Sequence, residues 1–298
     1  MFFSIIIPTY NNAQFLKKAL ESLKKQTDKN FELIVIDNYS SDDTSKVINN
    51  LKIDNLVYQK IKNNGVIAMS RNLGINISKG DWLMFLDSDD LFYENKIEFL
   101  NNNLDSNFDI ACNSERIVNL DNGKSKIWRY GPSEKNIYKK MLLNGNRFVT
   151  SASVIKRDFV IKNNIFFNER KDFITAEDYD FFLNLVNKGA KVRFFNEILG
   201  DHTFYAGSQS SNYDLHKNSV INVVKHHIYN VQNFSQDKNK LWKKLQWRFS
   251  IMDFIKEFKE KNYLKSLKFL IRSFLNSPFK VSFFLIKILK NKLIRMIE

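Results

Sequence analysis

The chain has 298 residues, 44% of them hydrophobic and 26% charged, with nine Gly, three Pro and one Cys. That balance is enough to bury one large core, or a domain with a smaller appendage, and it excludes a disordered chain and a disulfide-stapled miniprotein. The net charge of +14 is uneven: residues 201–298 carry 18 Lys and Arg against 7 Asp and Glu, while residues 1–200 carry 28 against 25. A basic C-terminal third attached to a near-neutral remainder suits a part that faces an anionic surface joined to a part that does not. Cys112 has no partner for an intramolecular disulfide, which favours a reducing compartment, and it reads as a small core residue rather than a nucleophile. The opening MFFSIIIPTYNN lacks a basic n-region and its apolar run stops at Pro8, so no signal peptide is expected. No stretch approaches the roughly 18 uncharged apolar residues of a membrane span, and a cytoplasmic location is the expectation.

In chain order, Phe2–Ile7 reads as a buried strand ended by Pro8 and the polar turn Thr9, Tyr10, Asn11 and Asn12. Phe15, Ala19, Leu20 and Leu23 then recur at helical spacing to about Gln26. Glu32–Ile36 is a second buried strand, ending in Asp37 and Asn38, and Ser40–Asp43 offer an N-cap for a helix to about Leu51. Leu56–Lys60 is a short third strand, followed by a turn at Asn63–Gly65 and a helix over Val66–Ile77 that carries Arg71. Next comes WLMFLDSDDL, residues 82–91, an apolar strand running into Asp87, Ser88, Asp89 and Asp90. Three acids in four residues either face water as a turn or attract a hard divalent cation such as Mg²⁺ or Mn²⁺. Strands alternating with helices imply a mostly parallel sheet, and ligands of such sheets bind outside the carboxyl ends of the strands.

Beyond it, a helix over Asn95–Leu104, a strand over Asp109–Val118 with a hairpin turn at Asp121–Gly123, a helix near Glu134–Leu143 and a strand over Phe148–Ile155 are expected. Glu177, Asp178 and Asp180 open a helix with Phe181, Phe182, Leu185 and Val186 on its apolar face, where ordinary capping also accounts for the acids. Val192–Phe195 reads as a strand, and from about Asn218 the pattern is helical, with a stripe of Leu241, Leu245, Phe249, Met252, Ile255 and Phe258. Residues 264–298 hold eight basic residues, Lys287, Lys290, Lys292 and Arg295 among them, against Glu298 alone, interleaved with Phe and Leu. That composition fits amphipathic helices on an anionic leaflet, and equally a helical subdomain with its Phe face turned inward. No nucleic-acid partner is expected.

Taken in order, SIIIPTYNN, ELIVIDNYSSDDT, NNGVIAMSRNLGINISKGDWLMFLDSDD and EDYDFFLNLVNKGAKV resemble the motifs of family 2 glycosyltransferases. The resemblance covers residues 2 to about 212. It implies an α/β GT-A domain over residues 1–215, leaving a helical, basic C-terminal region over 216–298. It further implies that Pro8, Thr9, Tyr10, Asp37, Asn38, Arg71, Asp87 and Ser88 bind the nucleotide sugar. Asp87 and Asp89 then hold Mn²⁺ or Mg²⁺, Asp90 supports the metal or the loop, and Asp178 is the general base of an inverting transfer. Glu177 binds the acceptor or raises the pKa of Asp178. Asn38 stands where the family often has a second aspartate, so uridine is favoured but thymidine stays open. His202 lies three residues before the family's usual histidine position, which Tyr205 occupies, and is a candidate metal ligand. The acceptor, a surface-glycan or lipid-linked saccharide such as those of capsule or lipooligosaccharide, is expected to meet residues 113–174. A homodimer is allowed, and a non-catalytic nucleotide-sugar-binding scaffold is the alternative that intact acids argue against.

Overall fold

The computed structural model describes residues 1–51, 53–208 and 211–286, in two compact units, Met1–Val223 and Val224–Glu298. In the first unit a sheet runs in the order β3-β2-β1-β4-β8-β6-β9-β5, with β7 paired to β6. These strands are β1 (Phe3–Thr9), β2 (Phe31–Asp37), β3 (Leu56–Lys60), β4 (Trp82–Phe85), β5 (Leu91–Phe92), β6 (Ile110–Asn119), β7 (Ser125–Trp128), β8 (Ser153–Lys156) and β9 (Val192–Phe204). The helices between them are α1 (Ala13–Lys24), α2 (Thr44–Asn49), α3 (Ile67–Ile77), α4 (Lys96–Asn103), α5 (Ile137–Asn144), α6 (Arg157–Lys162) and α7 (Glu177–Asn187), and α8 (Tyr213–His226) follows β9.

Every residue of β1, β2 and β4 is buried, as expected of strands covered on both faces. Phe3, Ile5, Ile7, Leu33, Val35 and Met84 pack with Leu16, Leu20 and Leu23 of α1 into one core. Glu32, buried inside β2, is accommodated by a hydrogen bond from Ser4 Oγ at 2.6 Å. The in-register parallel pairing sets Thr9 beside Asp37 and Ile6 beside Phe85, so the first three polar strand ends lie side by side.

The parallel order holds for β3-β2-β1-β4 and for β6 with β9; β8 and β5 run antiparallel to their neighbours, so half of the sheet is mixed. The strand expected over Phe148–Ile155 shortens to Ser153–Lys156, because residues 150–152 turn, with Ser153 N donating to Thr150 O at 3.1 Å. The strand expected over Val192–Phe195 continues to Phe204 despite its polar residues, since it is held by β6 and β5 across register shifts. Helix α8 starts at Tyr213, ahead of Asn218, and α6 and a 3-10 turn over Lys171–Phe173 have no counterpart in the sequence expectations.

The second unit holds a π-helical turn (His227–Val231), α9 (Lys238–Lys259), α10 (Tyr263–Asn276) and a helical stretch over 278–286. Asp237 caps α9 by accepting from Lys240 N at 2.8 Å. The expected stripe of α9 is buried at Leu241, Leu245 and Phe249 and surfaces by Phe258. Lys287, Lys290, Lys292 and Arg295 lie outside the described residues. Among the described residues no helix is long and apolar enough to cross a membrane.

Candidate active site

Three loops meet at the carboxyl ends of β1, β2 and β4. Asp37, wholly buried, accepts from Ser40 N (2.9 Å) and Oγ (2.6 Å) on one oxygen and from Tyr58 Oη (2.8 Å) on the other, with Lys60 Nζ at 3.7 Å. Both of its oxygens are used in shaping the β2–α2 loop. Asn38 accepts from Asn63 N at 2.9 Å, which ties that loop to the approach to α3. Thr9 is buried with a hydroxyl that has no hydrogen-bond partner, whereas Tyr10 is exposed. Asn12, at the N-cap of α1, donates to Ser88 Oγ at 2.8 Å and so couples the β1 loop to the aspartate loop.

Arg71 is the junction of the site. It leaves α3 into a space where only 4% of it is exposed, with Nη2 at 2.7 Å from Asp87 and Nη1 at 2.7 Å from Glu177. Its guanidinium also lies over the Phe167 ring, 5.3 Å from the centroid. Burial opposes its charge, but Asp87 and Glu177 more than offset this and hold it ionised. For Asp87 burial alone would raise the carboxyl; Arg71, with Thr150 Oγ1 at 3.1 Å, keeps it below the usual carboxylate range.

Asp89 is in the opposite situation. Burial, then the nearby Asp90 and Asp87 carboxylates, push its carboxyl up to about 7, which marks a place where added positive charge is favourable. Asp90 is buried and spoken for, accepting from Thr203 N at 2.7 Å and facing His202 Nδ1 at 3.1 Å. His202 is pulled up to about 10, since burial is outweighed by Asp90 and then by Glu115 and Asp87. Tyr205 stacks on Phe15 at 5.0 Å, and burial and Asp89 push its phenol up to about 12.

Among the described residues no group of three or more His, Cys, Asp or Glu could hold an ion unaided. The donors nonetheless fit one that arrives with a substrate, because Mg²⁺-like ions take one or two carboxylates and complete their shell with phosphate and water. Asp89 provides the hard oxygen donor and the electrostatic demand. His202 has Nδ1 committed to Asp90, which leaves Nε2 as the nitrogen that would take an ion, the ring then giving up the proton it otherwise holds up to about 10.

On the other side of Arg71, Asp178 opens α7. Burial and Glu177 push its carboxyl up to about 7 while Arg71 pulls it down, and Asn146 Nδ2 donates to it at 3.1 Å. Just upstream, Thr175 adopts φ +75, a costly conformation for a β-branched residue, and its carbonyl faces His216 Nδ1 at 2.9 Å. Glu177 is buried against Arg71 rather than turned to solvent.

The structure thus gathers Pro8, Thr9, Asp37 and Asn38 at adjacent strand ends and links Asp87 to Glu177 through Arg71. It also shows partners that sequence reasoning missed: Asn146, Thr150 and Ser151, whose Oγ accepts from Asp87 N at 3.2 Å. The run Thr150-Ser151-Ala152-Ser153 was the available signal, small polar residues inside an expected strand; Asn146 had none.

The model of the family described as "Glycosyl transferase family 2" matches residues 4–163. An uncharacterized glycosyltransferase of Rickettsia felis is 46% identical over 95 residues, 32% of this chain and 16% of that protein, so the chain matches only a small part of this relative's length. The UDP-Glc:alpha-D-GlcNAc-diphosphoundecaprenol beta-1,3-glucosyltransferase WfaP of Escherichia coli is 33% identical over 211 residues, 70% of this chain and 80% of WfaP. In fold, the crystal structure of S. aureus TarS 1-349 in complex with UDP-GlcNAc superposes with a TM-score of 0.65 at 19% identity, covering 94% of this chain and 83% of that one. The mixed sheet flanked by helices is the GT-A fold, and the chain belongs to glycosyl transferase family 2.

Proposed function

We propose that the protein moves a sugar from a nucleoside-diphosphate donor, uridine before thymidine, to a hydroxyl of a saccharide or lipid-linked acceptor, with inversion of configuration. The observation that carries this reading is the Asp87–Arg71–Glu177 bridge, which fastens the aspartate loop to the N-terminus of the helix that bears Asp178. The names of WfaP, with its UDP-Glc donor and diphosphoundecaprenol acceptor, and of the TarS complex with UDP-GlcNAc support a uridine donor and a lipid-linked acceptor.

Asp178 takes the proton of the acceptor hydroxyl as that oxygen bonds to the anomeric carbon and the bond to the diphosphate oxygen breaks on the opposite face. A carboxyl at about 7 is suited to this work near neutral pH, and the Asn146 amide orients it. Glu177, pinned to Arg71, acts through the charge it presents to Asp178. Thr9, Tyr10, Asp37 and Asn38 line the base, with Asp37 and Asn38 shaping its walls. Asp89, with Asp87 and His202, would hold Mn²⁺ or Mg²⁺, which supplies positive charge to the departing diphosphate. The basic C-terminal helices keep the enzyme on the inner face of a membrane, where a lipid-linked acceptor is presented.

A panel of nucleotide sugars with Mn²⁺, read by nucleoside-diphosphate release and by thermal shift, tests the reading. Wild type is expected to release UDP from one donor, and Asp89→Asn to lose the stabilisation that Mn²⁺ adds to UDP. The absence of turnover and of thermal shift across UDP- and dTDP-sugars would sink it.

A further inference from the structure

Helix α10 is amphipathic in the wrong sense for a protein in water. Its buried positions are Ser266 and Ser273, seven residues apart on one face, and Ser273 Oγ donates to the Trp247 carbonyl of α9 at 2.9 Å. The inward face of the helix thus carries these two serines with Phe269 and Leu270 half-buried between them, while a separate apolar stripe turns outward. That stripe runs Leu264, Leu267, Ile271 and Leu275, which a spacing of three or four keeps near one line along α10. Ser277, at φ -163 and ψ 78, ends the helix, and Phe279 and Phe283, four residues apart, share an exposed face of the stretch 278–286 that follows. Leu264, Leu275, Phe279 and Phe283 are 84%, 79%, 90% and 71% exposed, far beyond the scattered single apolar residues normal on a protein surface.

Charge decides what covers the stripe. Lys265, Lys268 and Arg272 each follow a stripe residue by one position, about 100° round the helix, so cations border the apolar line along one side. Lys265 is engaged by Glu257 at 2.7 Å, while Lys268 and Arg272 are exposed. From Tyr263 to Ile286 there is no Asp or Glu. A second copy laid stripe to stripe would bring the exposed Lys268 and Arg272 of both copies together, whereas a bilayer interface with anionic headgroups accepts the apolar side chains and neutralises these cations.

Resting on the reading of the enzyme as membrane-peripheral, we infer that the outward face of α10 and residues 278–286 is the docking surface, lying in the plane of an anionic lipid interface. Flotation of the full chain with phosphatidylcholine vesicles, with and without 30% phosphatidylglycerol, tests this. Wild type is expected to float with the anionic vesicles alone, and less as salt rises. Phe279→Ser with Phe283→Ser should weaken partitioning by at least about tenfold, and Lys268→Gln with Arg272→Gln by roughly fivefold for each cation removed. Thermal melting and nucleotide-sugar hydrolysis without vesicles should be unchanged in all of them, which separates a failed docking surface from a failed glycosyl-transfer reading. Equal flotation with neutral vesicles, or no flotation, overturns the inference. So does sedimentation showing that wild type self-associates and the Phe variant does not, which would give the stripe to a second copy.

Discussion

Replacing Asp178 by Asn should cripple transfer and at the same time make the protein harder to unfold. Asp178 in the folded protein holds its proton up to about 7, against 3.8 for an unperturbed aspartate, because burial and then Glu177 penalise its charge. A carboxyl raised in this way supports the fold when protonated: its contribution is fully present below pH 3.8 and is lost as pH rises through 7. At pH 8 the ionised group therefore strains the native state. Three units at about 1.4 kcal/mol each set a ceiling of about 4 kcal/mol, and discounting by half for partial solvent screening leaves about 2 kcal/mol. Asn has nearly the same shape, keeps an oxygen for the Asn146 amide and carries no charge. At pH 8 Asp178→Asn should thus melt roughly 4–8 °C above wild type, and at pH 4.5 the difference should shrink to about a quarter, since the native carboxyl is then protonated and the pH lies within a unit of the unfolded aspartate's 3.8.

Turnover should fall by roughly 10²–10⁴, the usual worth of a general base. In wild type kcat/KM should rise tenfold per pH unit up to about 7 and level off, because the base works deprotonated. Glu177→Gln, which removes the largest charge opposing ionisation of Asp178, should move that limb to lower pH. Calorimetry and a pH series of UDP release provide both readings. If Asp178→Asn keeps more than a tenth of the activity, or melts below wild type at pH 8, the assignment of base and strain to one carboxyl is wrong.

Three other outcomes follow from the packing. Arg71→Ala leaves Asp87 and Glu177 as unpaired buried carboxylates and should cost about 3–5 kcal/mol in urea unfolding; a mere diphosphate ligand would raise KM and leave stability alone. At Gly80 an added Cβ would lie 2.6 Å from Ser4 N and 2.8 Å from Phe3 C, both backbone, so Gly80→Ala should cost about 3 kcal/mol, and an unchanged urea midpoint would show that β1 yields easily there. Cys112 is buried with its thiol pushed up to about 12, first by burial, so Ellman's reagent at pH 8 should leave it untouched until denaturant is added; labelling of the native protein within minutes would contradict its placement in the core.

What could be read ahead of the structure was whatever depends on neighbours in sequence. The apolar runs of β1, β2 and β4 and the acids that follow them are local features, and the parallel half of the sheet appears where alternation with helices places it. Arg71 and Glu177 are 106 residues apart, and His202 and Asp90 are 112 apart; no periodicity links them, so the burial of an arginine in two ion pairs could not be anticipated from its position on a helix. Asn38 is instructive in another way. Its amide oxygen accepts from Asn63 N, a task a carboxylate oxygen performs as well, so an asparagine keeps the tie between the β2–α2 loop and the approach to α3 without a charge. For α10 the composition, cations interleaved with Phe and Leu, fitted an apolar face turned to a lipid leaflet and one turned inward equally well. Only Ser273 donating to the Trp247 carbonyl reveals which side the helix gives to α9 and hence which side it leaves open.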